Sequence, residues 1–139
     1  MRAMLLSHLA SLADEPEPLS LVELEDPEPG PGEILVAVST CGVCHTELDE
    51  IEGRTPPPAL PIVPGHQVVG RVVAAGAGAA RFTDGDRVGI GWIHASDGTQ
   101  NENLSPEFVA TGRVVNGRYA VLITGPEHYC DPSPPALSE

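Results

Sequence analysis

The residue types that do chemistry fall in a few short stretches. Cys41-Gly42-Val43-Cys44-His45 sets two thiols one helical turn apart, with an imidazole beside the second. Pro64-Gly65-His66-Gln67-Val68-Val69-Gly70 carries a second histidine, and Cys130 stands alone between Tyr129 and Asp131. A Cys-x-x-Cys pair binds zinc or cycles between dithiol and disulfide. Thiolate with imidazole is an ordinary zinc donor set. The chain has 3 cysteines, so a closed four-cysteine site is excluded. Cys-x-x-Cys-His also has the form of a c-type haem attachment site, which requires export. A redox pair would sit in a βαβ context that the sequence does not offer. Two buried, inert thiols are the remaining reading of the pair. A lone histidine beside a strand is more often a structural hydrogen-bonding residue than a ligand. Here Gly65 and Gly70 permit close backbone approach on either side of His66 and shift the balance towards a ligand.

The elements that must hold these residues read as strands and turns. With Gly 15 and Pro 15 in 139 residues, the chain is punctuated too often for a helix bundle. Aromatics are 4%, so the core must be built from Val, Leu, Ile and Ala. Strands are predicted at Leu19 to Glu25, Ile34 to Ser39, Val68 to Ala75, Arg87 to Ile93 and Tyr119 to Thr124. A short helix is predicted within Cys44 to Glu52, stopped by Gly53. Thr55 to Pro64, with five prolines, must be an irregular loop, and Thr83 to Asp86 a turn. The tail from Pro132 is expected to fray. The expected class is mainly β, a barrel or sandwich formed by residues 1–139 as a single domain.

Charge narrows the partners. There are 20 acids against 7 bases, all arginine, for a net charge of -13. Nucleic acid and anionic membrane surfaces, both of which need clustered cations, are excluded as partners. No apolar run approaches the roughly 20 residues of a membrane span. His8 interrupts the apolar start and acids follow it, so no signal peptide is expected and the cytoplasm is the expected compartment.

Together the two motifs resemble the zinc-dependent medium-chain alcohol dehydrogenases. The matching run is Cys44-His45-Thr46-Glu47, the proline-rich loop, Gly65-His66-Gln67-x-x-Gly70, Gly85-Asp86-Arg87-Val88 and Trp92. It continues through Glu102-Asn103-Leu104 and Gly117-x-Tyr119-Ala120, so that it spans roughly residues 1 to 130. The resemblance implies a GroES-like, partly open β-barrel. It implies that Cys44 and His66 are catalytic-zinc ligands and that Glu47 orients the histidine. Thr46 is the hydroxyl that relays the alcohol's proton, and Asp49 stands where the relay ends, at a position the family often gives to histidine. His45 faces the cofactor's phosphates, Trp92 walls the substrate pocket, and Cys41 is a packed thiol.

Departures from the family shape the remaining expectations. Gln67 stands where many members have an acid. Where the family has a lobe of four cysteines around a structural zinc, this chain has a short polar loop from Ala95 to Ser105. Family members continue into a nucleotide-binding Rossmann domain and take a third zinc ligand, a cysteine, near the junction. The expectation is therefore a truncated, engineered catalytic domain with partial zinc occupancy. NAD(P) is expected only in the full-length family, and no dehydrogenase activity is expected of the domain alone. A metal-free engineered β-barrel scaffold without activity is the alternative; an open zinc site with weak hydrolytic activity is a third reading. Cys130 is the candidate third ligand, with His128 or Asp131 assisting, and self-association through the former Rossmann interface is the expected protein contact.

Overall fold

The structure is a computed structural model, and it describes residues 1–134 and 136. Strands β1 (Arg2–Leu6) and β2 (Leu19–Glu23) form an antiparallel pair. Next come β3 (Glu33–Cys41), the α-helix α1 (His45–Ile51), β4 (Val68–Ala75) and β5 (Arg87–Ile90). The short strands β6 (Ile93–Ala95) and β7 (Val109–Ala110) pair with each other, and β8 (Leu122–Pro126) and β9 (Cys130–Pro132) complete the series. The main sheet has the order β8-β3-β4-β5-β9, with every pairing antiparallel. It curls into the partly open, GroES-like barrel that the sequence predicts.

Val, Ile and a few larger apolar side chains close this sheet on itself. Ile34, Val36, Val68, Val72, Val88, Ile90 and Ile123 are buried together with Phe82 and Cys130. In β3 the burial alternates over Ile34 and Val36, the period of a strand with one face inward. Each such side chain contributes about 1.5–3 kcal/mol on leaving water. A smaller cluster of Leu6, Ile51 and Ile62 fastens β1 and the end of α1 to the proline-rich loop. There Leu6 and Ile62 exchange backbone hydrogen bonds at 2.8 and 3.0 Å.

Several boundaries differ from those expected. Strand β1 lies in a segment that carries no strand in the sequence reading; it pairs with the next strand, β2, across the connection 7–18, which has no tight hairpin turn to mark the pairing. Pairing of β5 ends at Ile90, and Trp92 turns outward before the chain resumes as β6. Tyr119 and Ala120 are not part of β8. The Tyr119 amide donates to Pro64 O at 3.0 Å, and Ala120 bridges to Ala3. Pro132 does not fray: it ends β9, and the Ser133 amide donates to Arg87 O at 2.9 Å. The rest of the expected frayed tail, residues 135 and 137–139, lies outside the described residues.

Candidate metal centre and cavity

Helix α1 begins where β3 ends, and Cys44 is its N-cap. Glu47, three residues on, turns back so that its Oε2 accepts the Cys44 amide at 2.8 Å, which closes a capping box. The other oxygen, Oε1, lies 2.6 Å from His66 Nδ1. Glu47 is 2% exposed, so this carboxylate is withdrawn from water and held by one thiol-bearing residue and one histidine.

His66 is set by glycines. Gly65 has φ +93, a left-handed conformation open to glycine at little cost. A Cβ on Gly117 would lie 2.2 Å from Gly65 O and 2.5 Å from Pro64 O. That contact lets Gly117 and Tyr119 clamp the Val63-Pro64-Gly65 backbone. The Gly117 amide donates to Val63 O at 2.6 Å, and the Arg118 amide to Gly65 O at 2.9 Å. The imidazole therefore leaves a rigid platform and is nearly buried.

As a result, one donor atom each from Cys44, Glu47 and His66 lies within 4.8 Å of the others. Thiol, imidazole and carboxylate are all zinc donors, so the residues fit the metal that the resemblance implies. Glu47 Oε1 makes no hydrogen bond of good geometry despite its short approach to the ring nitrogen. The Thr46 hydroxyl is 3.6 Å from Cys44 Sγ. Cys44, Thr46, His66, Gln67 and Trp92 line a cavity of about 400 Å³ with Glu50, Ala110, Thr111 and Arg113. Thus the structure brings Cys44, Thr46, Glu47 and His66 together and places Trp92, 56% exposed, on the cavity wall.

The other candidates stand apart from this group. Cys130 is fully buried in the sheet core, where its thiol donates to Pro126 O at 3.3 Å. Burial pushes that thiol up to about 11, and the structure does not bring Cys130 into the Cys44–Glu47–His66 group. An interior strand position opposite Ile90 faces apolar side chains, which a sequence cannot reveal. His128 and Asp131 border a different hollow with Tyr129, although Trp92 also touches it. Asp49 bonds to Arg54, and exposed His45 lies 3.6 Å from it. Cys41 is half-buried, its thiol raised to about 11 by burial and then by the Glu47 charge. The polar loop from Ala95 to Ser105 forms a 3-10 turn at Glu102–Leu104. Ser96 Oγ donates to Glu102 Oε2 at 2.5 Å and lies 2.8 Å from the Tyr129 hydroxyl.

Sequence reasoning missed three residues. Glu50 is 3% exposed and lines the cavity; its spacing from Glu47 puts it on the same helix face, which is the signal that could have found it. Arg113 reaches the same cavity from the segment after β7. Arg118 is buried in the barrel, where it donates to Thr124 O at 2.8 Å and to Thr111 Oγ1 at 3.4 Å. Burial lowers its guanidinium to about 10, and these bonds hold the Thr111 end of the cavity wall to β8.

Comparison with known proteins places the chain in a family. Residues 30–135 match the family model described as the alcohol dehydrogenase GroES-like domain. A probable alcohol dehydrogenase of Mycobacterium tuberculosis is 40% identical over 133 residues, which cover 88% of this chain and 38% of that protein. An alcohol dehydrogenase of Geobacillus stearothermophilus is 40% identical over 118 residues, covering 80% of this chain and 35% of that protein. The structure of an NAD-dependent alcohol dehydrogenase superposes with a TM-score of 0.88 at 30% identity, over 99% of this chain and 41% of that one. A cobalt- and zinc-bound thermostable alcohol dehydrogenase from Pyrobaculum aerophilum superposes with a TM-score of 0.83 at 27% identity, over 96% of this chain and 41% of that one. The chain thus spans well under half the length of the relatives it matches, and by its sequence and its fold it belongs to the alcohol dehydrogenase GroES-like domain family.

Proposed function

We propose that these residues are the metal- and substrate-binding part of a zinc-dependent alcohol dehydrogenase. The observation that carries this reading is the Cys44–Glu47–His66 group beside a cavity that Thr46 and Trp92 also line. Cys44 and His66 hold the metal. Glu47 sits behind the imidazole at Nδ1 and leaves Nε2 for the ion. Zinc bound there supplies a Lewis acid that makes an alcohol oxygen easier to deprotonate. Thr46 accepts the alcohol's proton, and Trp92 covers its carbon chain. Asp49 stands at the solvent end of the relay, where Arg54 pairs with it. His45, exposed, meets the phosphates of a nicotinamide cofactor.

Hydride must pass to a cofactor that other residues hold, since every strand pairing among the described residues is antiparallel and none forms a βαβ unit. Unpositioned nicotinamide forfeits roughly 7–11 kcal/mol of barrier reduction, so the 139 residues alone are expected not to turn over alcohol. Exposed Val43, Trp92 and Val114, on or next in sequence to the cavity wall, support self-association of this chain. No helix among the described residues is long and apolar enough to cross a membrane, and the three free thiols support a cytoplasmic site.

The test is an assay of the 139-residue protein with zinc, NAD and benzyl alcohol, paired with cobalt substitution. The expected result is no reduced cofactor, but a thiolate-to-cobalt absorption band that Cys44→Ser abolishes. Turnover that is lost in Cys44→Ser or His66→Ala would overturn the need for an external cofactor site. A wild-type protein without the cobalt–thiolate band would overturn the metal assignment.

A further inference from the structure

Glu50 is the one cavity-lining acid that the site as described leaves without a role. It is 3% exposed as a residue and lines the cavity, and among the described residues its carboxylate forms no ion pair, so its oxygens are left open to the cavity. It lies one turn beyond Glu47 on α1, so two carboxyl groups are buried on one helix face. Burying a carboxylate without a partner is costly, and a second carboxylate beside it raises that cost. The charged groups around it are few. Glu47 and Asp49 share its helix, Cys44 and His66 stand on the same cavity, and Arg113 is a cationic neighbour on that cavity. Burial first, then the Glu47 charge, pushes the Glu50 carboxyl up to about 7. Arg113, on the same cavity, offsets part of this charge, and the remaining negative charge favours a further cation there.

We infer that Glu50 is a positioning carboxylate for the ion held by Cys44 and His66, facing that ion across the cavity and accepting a hydrogen bond from the water or hydroxyl group bound to it. This rests on the metal reading given above. Glu50 is not one of the three clustered donors, which places it outside the immediate ligand set. From there it balances charge and orients what the ion binds, and an outer partner of this kind typically changes metal affinity by about 10–100-fold. The bound ion relieves the buried negative charge, while the metal-free protein carries that charge at a cost. One substitution should therefore act with opposite signs on the two states.

The experiment is cobalt titration of the full 139-residue chain near pH 8, read by the thiolate-to-cobalt band and by thermal unfolding with and without the metal. Glu50→Gln should raise the melting temperature of the metal-free protein while weakening cobalt binding about tenfold or more. Glu50→Asp, which keeps the charge, should recover part of the affinity. Glu52→Gln, the same charge change at the solvent end of the helix, should bind cobalt like the wild type. Wild-type affinity in Glu50→Gln would overturn the inference and leave the metal site standing. A metal-free Glu50→Gln protein less stable than the wild type would overturn it too, because it would show a structural role. Absence of the band in the wild type would instead bring down the metal assignment, and this inference with it.

Discussion

At the scale of single residues, the site depends on one carboxylate serving two neighbours. Glu47 accepts the Cys44 amide through one oxygen and meets His66 Nδ1 with the other. Glu47→Gln keeps the shape but removes the charge that orients and enriches the imidazole, so metal affinity should fall about 10–100-fold. A competition titration against a chelator measures that loss. Glu50 gives a second prediction, for the metal-free protein. With the Glu50 carboxyl raised to about 7 in the fold, the native chain keeps a proton that the unfolded chain has already released. This contribution to stability is fully present below the ordinary carboxylate range and is lost as pH rises to about 7. Denaturant unfolding between pH 4 and 8 should show a smaller decline in Glu50→Gln than in the wild type. Cys44, Thr46 and His66 were legible in the sequence because their types and order carry the chemistry. Glu50 was not, because an acid on a helix looks the same in water as in a cavity until the tertiary packing is known. Cys130 shows the converse: a thiol reads as a candidate ligand wherever it sits, and its burial in the sheet core is not visible in the sequence.

At the scale of elements, a short helix and a glycine clamp bring Cys44 and His66 together. The clamp needs Gly117 to lie against the Gly65 carbonyl, so a methyl group there must push backbone apart. Gly117→Ala should destabilise the protein by ~1–3 kcal/mol and weaken metal binding through displacement of His66. Paired unfolding and cobalt titrations would register both effects, and stability lost without any change in binding would show that His66 is fixed by something else. The loop from Ala95 to Ser105 is held by hydrogen bonds that join Ser96 to Glu102 and to Tyr129. A chelator should therefore leave the far-ultraviolet spectrum and the cooperative unfolding transition in place, whereas cooperative unfolding on chelation would mean that a metal holds the fold. Helix α1 and β4 were readable from the sequence because their patterns are local. β9 gains its definition from a distant partner, β5, and β1 from β2 across a long connection, and so both left little trace.

At the scale of the whole molecule, the antiparallel barrel is a scaffold that carries the Cys44–Glu47–His66 group beside a cavity. The surplus of 20 acids over 7 bases gives the molecule as a whole a negative field, which favours a cation over an anion as the cavity's occupant. The fold class was readable from glycine and proline punctuation and from the order of the motifs. The closure of the barrel was not, since it depends on long-range pairings such as Ile90 with Cys130. The central claim is that this barrel holds a metal ion through Cys44 and His66, and zinc stoichiometry is the measurement that tests it most directly. Elemental analysis after equilibration with zinc and removal of loose metal should find zinc on the wild-type chain and on Cys130→Ser. It should find none on His66→Ala or Cys44→Ser. Zinc retained by His66→Ala and Cys44→Ser but lost from Cys130→Ser, or absent from the wild type under every condition, would contradict the account.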